Sequence, residues 1–408
     1  MSDANMPQSN EEARVNIIAT GWRADPLANW LMTELYRPNA EIDFFEDLCK
    51  QIDAEDMHLT RVFCGLLSLH PLYMSRNFIW RPGHEAEVVL RGHGVTASDF
   101  YRKSPIFLIH QGAEIIRQRL DLDDDQLEFD IWHDLKRDGA IEYLALPMHF
   151  STGEVNVLSF ATSRPGGFAD AQVARLRDMI PLMTVRFELM NAYTATGNLL
   201  NTYLGEAAAR RVLAGTVQRA EGEAIRAAIF LCDLRGFTRM SDRMEGREII
   251  ETLDDYFDCM IEPVKAMGGE VLKFMGDGML AIFPMDDRTA WLACHSALAA
   301  AVEGVANLAD LNKRRQEQQQ PPLKVGIGLH AGEVIFGNIG SADRLDFTVI
   351  GRAVNEVSRV ENLTRTLDRP VLMTASFARL AMQGAKLESL GFHALPGVSR
   401  PSEIFRPA

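Results

Sequence analysis

The sequence predicts an α+β protein of two domains joined by a helical linker. Its 408 residues are more than one compact core usually contains. The N-terminal half mixes short strand and helix patterns, whereas the C-terminal half shows the order βαββαβ, which begins after a long helical stretch. We therefore expect an N-terminal segment over residues 1–40, a first domain over 41–185, a linker over 186–222 and a second domain over 223–408.

Composition and charge argue against several classes of protein. Hydrophobic residues make up 47% and charged residues 24% of the chain, which is ordinary for a globular protein. The formal net charge of −14 disfavours general binding to nucleic acid or acidic membranes, because such binding needs clustered lysine and arginine. No apolar run approaches the roughly 18 residues of a membrane span, and the N-terminus lacks the apolar stretch of a signal peptide. We expect a cytoplasmic protein without a membrane span, in which only the first dozen residues are unstructured.

The five cysteines are expected to be buried free thiols. Their number is odd, none has CxxC spacing, and most have apolar neighbours. Neither disulfides nor a zinc site is predicted. The residues are Cys49, Cys64, Cys232, Cys259 and Cys294.

The first domain is predicted to contain a strand, a hairpin and a helix. Residues 60–69 form a strand pattern, and the strand patterns at 140–150 and 154–162 are joined by a turn around Gly153. After a Pro-Gly-Gly turn, a helical pattern places four apolar side chains on one face: Val173, Leu176, Ile180 and Met183. This order resembles a GAF-type sensory domain, in which a strand, helices and a central hairpin surround a ligand pocket. The resemblance implies an unknown small-molecule effector at this domain.

Most of the ten histidines fall in this half of the chain. No two have a spacing such as HxxxH, so scattered surface or core histidines are the favoured interpretation and a haem or metal sensor the alternative. They include His70, His84, His93, His110, His133 and His149.

The predicted linker contains an interrupted heptad pattern between Leu182 and Glu206. Thr196 and Gly197 interrupt it. Two interpretations stay open: a parallel seam between two chains that could act as a switch, or an amphipathic helix packed on its own domain. The apolar positions are Leu182, Val185, Leu189, Ala192, Leu199 and Tyr203.

The second domain is predicted to have a ferredoxin-like βαββαβ core with helices on one face of an antiparallel sheet. Residues 227–232 are a buried strand pattern, and 270–274 and 279–284 flank a Gly-Asp-Gly turn as a hairpin. Helical patterns follow the first strand and this hairpin. A second hairpin is predicted from 324–332 into 333–340.

Two aspartates indicate a divalent metal site. Asp233 ends the first strand, and Gly236, Phe237 and Thr238 follow where the chain turns into a helix. Backbone N–H groups of such a turn suit a polyphosphate, and carboxylates suit Mg²⁺. Asp277 lies in the hairpin turn, which a ferredoxin-like sheet places beside the first strand. The structural alternatives are a helix cap at the first position and a turn residue at the second.

Three spaced segments together resemble the signature of class III nucleotide cyclases. They are FLCDLRGFT at 230–238, KFMGDG at 273–278 and TVIGRAVNEVSRVE at 348–361. The resemblance implies two Mg²⁺ or Mn²⁺ ions held by Asp233 and Asp277. It also assigns Asn355 to orienting the ribose and Arg359 to the charge that develops at the α-phosphate. These last two residues lie four positions apart and therefore share one helix face.

The resemblance also implies that the base is adenine. In the family, a lysine at the position of Lys273 donates to the adenine ring, whereas guanylate cyclases commonly carry glutamate there. Thr348 replaces the commoner aspartate, a variant similar to the subgroup that includes bicarbonate-responsive cyclases, so bicarbonate is a candidate effector at this domain. The implied protein is an adenylate cyclase that acts on ATP as a homodimer, with Asp233 and Asp277 of one chain facing Lys273 and Thr348 of the other.

One position departs from the family pattern. Many members carry a phosphate-binding lysine in a Leu-Lys-Gly turn, where this chain has Pro396. Either Arg400, Lys386 or another basic residue replaces it, or substrate binding is weaker. A catalytically weak cyclase-like module used for binding or dimerisation therefore stays open, as does a guanylate cyclase. A diguanylate cyclase is a further alternative, because Gly268 and Gly269 weakly resemble the start of the GGDEF motif of those enzymes.

Overall fold

A computed structural model describes residues 26–34, 41–218, 222–242, 244–341, 343–397 and 400–408. The chain divides into two compact units at Leu199 and Leu200, within the predicted linker. The first dozen residues, expected to be unstructured, lie outside the described ranges.

The first unit is built on an antiparallel sheet with the strand order β3-β2-β1-β6-β5-β4. Its strands are β1 (Leu59–Leu67), β2 (Ser75–Trp80), β3 (Glu87–Arg91), β4 (Ile116–Arg119), β5 (Glu142–His149) and β6 (Val155–Thr162). Its helices are α1 (Pro26–Glu34), α2 (Glu41–Asp53), α3 (Asp99–Arg102), α4 (Pro105–His110), α5 (Asp130–Arg137) and α6 (Asp170–Leu204), with short 3₁₀ helices at His93–Ala97 and Asp124–Gln126. The predicted hairpin is confirmed as β5 and β6.

The two faces of this sheet follow the alternation of residues along each strand. On β1, Val62, Cys64 and Leu66 belong to the core formed with α1, α2 and α6. The helix α1 contributes Leu27 and Leu31 to this core, so the packed first unit includes residues that precede position 41. The other face of the sheet packs partly against α4 and α5 through a smaller core.

The helix α6 is one continuous element of 35 residues. The interruption predicted at Thr196 and Gly197 does not end the helix. Val185, Leu189 and Tyr203 are 55%, 37% and 78% exposed. Much of the predicted heptad seam is therefore not buried against other described residues of the chain.

The second unit contains a larger sheet with the order β13-β14-β12-β10-β7-β9-β8, to which β11 is added by pairing with β10. Its strands are β7 (Gly222–Leu234), β8 (Glu270–Met275), β9 (Gly278–Met285), β10 (Val325–Gly340), β11 (Leu345–Ile350), β12 (Val371–Thr374), β13 (Leu387–His393) and β14 (Ser402–Pro407). Its helices are α7 (Glu206–Leu213), α8 (Phe237–Ser241), α9 (Gly246–Ala266), α10 (Ala290–Glu317), α11 (Arg352–Thr366) and α12 (Ala375–Ala381).

The predicted βαββαβ core is present in β7, α9, β8, β9, α10 and β10. The four strands pair antiparallel in the order β10-β7-β9-β8, and both core helices contribute to the same hydrophobic cluster on one face. A further helix, α11, packs on the opposite face through Ala353 and Val357.

The second predicted hairpin is wrong. Residues 325–340 form one strand that pairs with β7 without a break from Val325 to Gly337, and the hairpin partner of β10 is β11. Ala331 and Gly332 resemble a turn in sequence, but the glycine serves packing instead. A Cβ atom at position 332 would lie 2.8 Å from the Cβ of Ala353, so glycine allows α11 to approach the strand closely.

The helix α10 alone, among the described residues, is long and apolar enough to cross a membrane by length and composition. One of its faces, including Cys294, Ala297, Leu298 and Ala301, is buried in the core under the sheet, which explains its apolar composition. All five cysteines are buried and free, as predicted.

Candidate functional site

The sheet brings Asp233 and Asp277 to one edge. Asp233 is paired with Gly278 across β7 and β9, and Asp277 is the residue immediately before that glycine. A Cβ atom at Gly278 would lie only 3.2 Å from Oδ1 of Asp233, so the absence of a side chain makes room for the carboxylate. Gly276 has a φ of +65°, which a tight turn before β9 requires.

Burial raises the pKa of both carboxylates, and like charge adds to this effect at Asp233. Partial burial, followed by the negative charge of Asp277, raises the pKa of Asp233 to about 6. Burial also raises the pKa of Asp277, a backbone hydrogen bond opposes that shift, and the positive charge of the exposed Arg365 opposes the shifts of both aspartates. Within the described ranges, neither aspartate forms an ion pair. Two desolvated carboxylates without a cation partner suit a divalent cation, which prefers hard oxygen ligands.

The protein supplies few side-chain ligands for a metal ion at this site. Among the described residues, no group of three or more histidine, cysteine, aspartate or glutamate side chains is arranged to hold a metal ion. Mg²⁺ is commonly held by one or two carboxylates together with water and substrate phosphates. The pair therefore fits a cation that is completed by a phosphate substrate better than a closed structural metal site.

The turn after Asp233 has the expected shape. The helix α8 begins at Phe237, and Gly236 precedes it in the left-handed region with a φ of +77°. No side chain caps this helix, so the alternative that Asp233 or Thr238 serves as its cap is not supported. Phe237 anchors the turn by packing against the main core of the second unit.

The sequence analysis missed a third carboxylate, Glu361. Gly326 is paired with Asp233 across β10 and β7, and a Cβ atom at Gly326 would lie 2.9 Å from Oε1 of Glu361. Burial, followed by the charge of Asp233, raises the pKa of Glu361 to about 7. The signal was the pair of glycines at 326 and 328, which allows α11 to lie against the strand.

Asn355 and Arg359 lie on another side of α11. Asn355 is exposed and Arg359 is half-buried. Arg359 is two positions before Glu361, about 200° around the helix, and therefore points away from the face that carries Glu361. The guanidinium of Arg359 instead lies beside the turn at Gly397, with Nη2 3.1 Å from the position of a Cβ atom there.

Lys273 and Thr348 lie on two strands that are not paired with each other in the sheet. They belong to β8 and β11, which contact each other. The Thr348 side chain is 3% exposed, and its hydroxyl has no hydrogen-bond partner among the described residues. Lys273 is half-buried, and its ammonium group forms no ion pair within the same ranges. A buried hydroxyl without a partner and a lysine without an ion pair, carried by two strands in contact, are groups that can hydrogen-bond a polar ring.

The candidates for the missing phosphate-binding lysine are placed differently. Pro396 lies in the loop between β13 and β14, next to the glycine that contacts Arg359. Arg400 is exposed in the same loop. Lys386 precedes the other end of β13, about 20 Å along the strand from this loop. Of the two candidates, Arg400 and Lys386, Arg400 therefore lies nearer to the loop that carries Pro396.

The comparisons with known proteins concern the second unit. Residues 221–403 match the family described as the adenylate and guanylate cyclase catalytic domain. An adenylate cyclase from Anabaena cylindrica is 39% identical over 158 residues, which cover 38% of this chain and 30% of that protein. Adenylate cyclase 1 from Rhizobium meliloti is 29% identical over 176 residues, which cover 42% of this chain and 26% of that protein.

A similarity is also found among solved structures. The adenylyl cyclase CyaB from P. aeruginosa is 27% identical with a TM-score of 0.41, and the match covers 46% of this chain and 96% of that one. The matched part of the chain spans less than a third of the length of the two curated relatives.

Proposed function

We propose that this protein, whose residues 221–403 match the family described as the adenylate and guanylate cyclase catalytic domain, is an adenylate cyclase controlled by its first unit. It converts ATP into 3′,5′-cyclic AMP and pyrophosphate. The observation that carries this proposal is the pair of unbridged carboxylates at the edge of β7 and β9, where Asp233 has its pKa raised to about 6.

Asp233 and Asp277 are proposed to hold two Mg²⁺ or Mn²⁺ ions together with the phosphates of the substrate. Bound there, such ions polarise the α-phosphate and lower the pKa of the ribose 3′-hydroxyl. The chain's own contribution is to keep the two carboxylates close, with Asp233 ionised above about pH 6. The turn of Gly236, Phe237 and Thr238 offers backbone N–H groups to the polyphosphate.

The remaining site residues are proposed to hold the nucleoside. The hydroxyl of Thr348 accepts a hydrogen bond from the amino group of adenine, and Lys273 donates one to a ring nitrogen. Asn355 orients the ribose, and Arg359 stabilises the charge that develops at the α-phosphate. The departure of Thr348 from the commoner aspartate is shared with the subgroup that includes bicarbonate-responsive cyclases, so bicarbonate is proposed as an effector to be tested at this domain.

Two chains are proposed to form each site. Lys273 lies only four residues before Asp277 on one hairpin, yet the two must address opposite ends of ATP. Arg359 points away from the helix face beside Asp233. A two-fold axis resolves both conflicts, because Asp233 and Asp277 of one chain then face Lys273 and Arg359 of the other.

Exposed apolar side chains support such a dimer. Ile335 and Ile350 face each other across β10 and β11 and are 50% and 45% exposed, and Phe274 and Met275 are exposed on β8, in the hairpin that carries Asp277. Apolar surface of this kind is typical of an interface. The exposed seam of α6 offers a second contact between the same two chains.

The first unit is proposed to be a GAF-like sensory domain. Its antiparallel sheet has helices on both faces and encloses a cavity, which is what a small-molecule sensor requires. The continuous helix α6 leads from this unit along the chain towards the catalytic domain.

The proposal is tested by incubating the full chain with ATP or GTP and Mg²⁺ or Mn²⁺ and identifying the products by liquid chromatography. We expect cyclic AMP from ATP, none with Asp277→Asn, and full activity in a control variant, Asp254→Asn, whose carboxylate is exposed on α9. Cyclic GMP as the main product would identify a guanylate cyclase. No cyclic nucleotide under any condition would favour a binding or dimerisation module.

A further inference from the structure

One face of the sheet in the first unit forms the floor of a cavity of about 660 Å³. The floor consists of the alternate residues of β1 and β2 that point away from the α6 side, among them Phe63, Gly65, Asn77 and Ile79. Residues 95–110 close the opposite side. This volume is within the range of pockets that hold drug-sized molecules.

Two arginines line this cavity without an anionic partner. For both Arg61 and Arg91, the Nε atom is buried and has no hydrogen-bond partner among the described residues. Neither guanidinium forms an ion pair within those ranges. Their neighbours are aromatic instead: the guanidinium carbon lies 5.8 Å from the ring centre of Phe63 and 5.4 Å from that of Phe100, respectively.

The surroundings of Arg61 make its charge costly. Burial, followed by the positive charge of Arg81, lowers the pKa of Arg61. A buried charge without a partner is unfavourable, and an anion supplied by a ligand would remove this penalty. The two acidic residues that line the cavity do not supply this negative charge to the arginines. Oδ2 of Asp99 lies 3.6 Å from Nζ of Lys103 instead, and Asp130 forms no ion pair with either arginine in the described part of the chain.

The two arginines lie at opposite ends of the cavity. Arg61 is near the start of β1, whereas Arg91 is paired with Ser75, which is paired with Leu67 at the end of β1. Six residues of strand separate the two positions by about 20 Å along the sheet. Between them the lining is largely apolar, with Ile79 and Val157 on the floor.

We propose that this cavity binds an elongated organic dicarboxylate with an apolar middle, one carboxylate at Arg61 and the other at Arg91. A guanidinium matches a carboxylate in shape and hydrogen bonding. Each end presents one unpaired arginine, which suits a singly charged carboxylate better than a phosphate carrying nearly two charges. The hydroxyl of Tyr143, hydrogen-bonded to Ser159, lies near Arg61 and offers a further polar contact at that end. This inference rests on the proposal that the first unit is sensory, and it names the chemistry of the effector.

The test is isothermal titration calorimetry of the full chain with a matched series of probes. Biphenyl dicarboxylate, with carboxylates at its two ends, is compared with biphenyl monocarboxylate and with the neutral diamide. We expect the diacid to bind at least 10-fold more tightly than the monoacid, and the diamide to show no saturable binding. Naphthalene dicarboxylate and octanedioate extend the series to other lengths.

Variants then assign the two ends. Arg61→Met and Arg91→Met should each lower the affinity for the diacid about 10-fold, until it equals that for the monoacid. The matched control is Arg137→Met, whose side chain is 76% exposed and pairs with Asp134 outside the cavity. Thermal unfolding of each variant shows whether it is folded, and the comparison of probes on the unaltered chain needs no variant.

Three results would overturn the inference: no saturable binding of any diacid, equal binding of diacid and diamide, or equal binding of diacid and monoacid to the unaltered chain. Cyclic nucleotide synthesis is measured separately on the same samples. Binding of the diacid without any effect on synthesis would remove the sensory role and leave the ligand site intact. Synthesis without binding of any diacid would overturn the ligand site and leave the proposed cyclase activity intact.

Discussion

Asp233 lies directly opposite Gly278 across β7 and β9, so that Asp277, the preceding residue, holds a second carboxylate beside it. The protein therefore keeps two carboxylates close together at a partly buried site. Neither carboxylate forms an ion pair with a cationic side chain among the described residues. Such an arrangement costs folding free energy in the absence of a ligand, as is common at functional sites.

Asp233→Asn is expected to abolish cyclisation and to stabilise the fold at neutral pH. The pKa of this carboxyl rises from 3.8 to about 6 on folding. The native state therefore binds more protons than the unfolded state between these values, and stability falls as the pH rises through that window. Because Asp233 is only half-buried, the gain at pH 7.5 should be about 1 kcal/mol, or about 2–4 °C in Tm.

The measurement is thermal unfolding without divalent cations at pH 7.5 and at pH 3.5. The gain should be present at the higher pH and nearly absent at the lower, where the carboxyl is fully protonated in the native state and mostly protonated in the unfolded state. Asp254→Asn, on an exposed surface of α9, should change neither value. A Tm that falls at pH 7.5 in Asp233→Asn would show that the carboxylate is held by partners that stabilise it.

Pro396→Lys is expected to lower the KM for ATP. The loop that carries Pro396 contacts Arg359 through Gly397, so a lysine there adds a positive charge next to the residue proposed to bind phosphate. We expect KM to fall about 3- to 10-fold with little change in kcat, since a phosphate contact of 0.7–1.4 kcal/mol is typical of a partly exposed charge. Pro401→Lys, exposed in the same loop, is the control. An unchanged KM would indicate that Arg400 or another residue already occupies this role.

The base-reading pair is tested by exchanging donors for acceptors. Lys273→Glu combined with Thr348→Cys should shift the preference from ATP towards GTP, because glutamate accepts hydrogen bonds from the donors of guanine. The buried hydroxyl of Thr348 has no hydrogen-bond partner among the described residues, so its hydrogen-bonding capacity is unused. The kcat/KM ratio for the two nucleotides is the quantity to measure. If it does not change, these residues do not read the base.

Arg76 joins the cavity floor to the helix α6. Its neighbour on β2, Asn77, lines the cavity, while Arg76 on the other face pairs with Glu41 and donates to Oδ1 of Asn191 at 2.6 Å. Arg76→Met leaves Glu41 with the hydroxyl of Thr194 but without its cationic partner in a mostly buried site, and should cost about 3–5 kcal/mol of the stability of the first unit. Urea unfolding measures this. Arg81→Met, which removes an exposed ion pair with Glu87, should cost less than about 1 kcal/mol.

Local pattern explains what could be predicted from the sequence. The strand alternation in β7 and the Gly-Asp-Gly turn determine where Asp233 and Asp277 lie, because both depend on residues close in the chain. Asn355 and Arg359 were likewise placed on one helix face by their spacing.

The misses depend on contacts between distant segments. The sequence predicts a turn at Gly332, yet the role of this glycine is to let α11, which begins twenty residues later at Arg352, pack closely against the strand. Glu361 approaches Asp233 only because Gly326 lies between them without a side chain. A glycine does not reveal in sequence which element will pack against it.

The dimer is tested by subunit complementation, and the reasoning begins with α11. Glu361 faces Asp233 within one chain, whereas Arg359 points about 200° away and contacts the loop at Gly397. If Arg359 completes the site of a second chain, Asp233→Ala and Arg359→Ala should each be nearly inactive alone. A mixed dimer of the two variants contains one site with both defects and one site with neither.

Random exchange of subunits makes about half of the dimers mixed, and each mixed dimer has one intact site of two. The recovered activity should therefore approach about a quarter of that of the unaltered protein. Exchange is verified by a tag on one variant, and a mixture of Asp233→Ala with Asp277→Ala serves as the control, because both defects then lie on the same side of the interface and no intact site can form. Verified exchange without recovery in the first mixture would show that Asp233 and Arg359 act within a single chain.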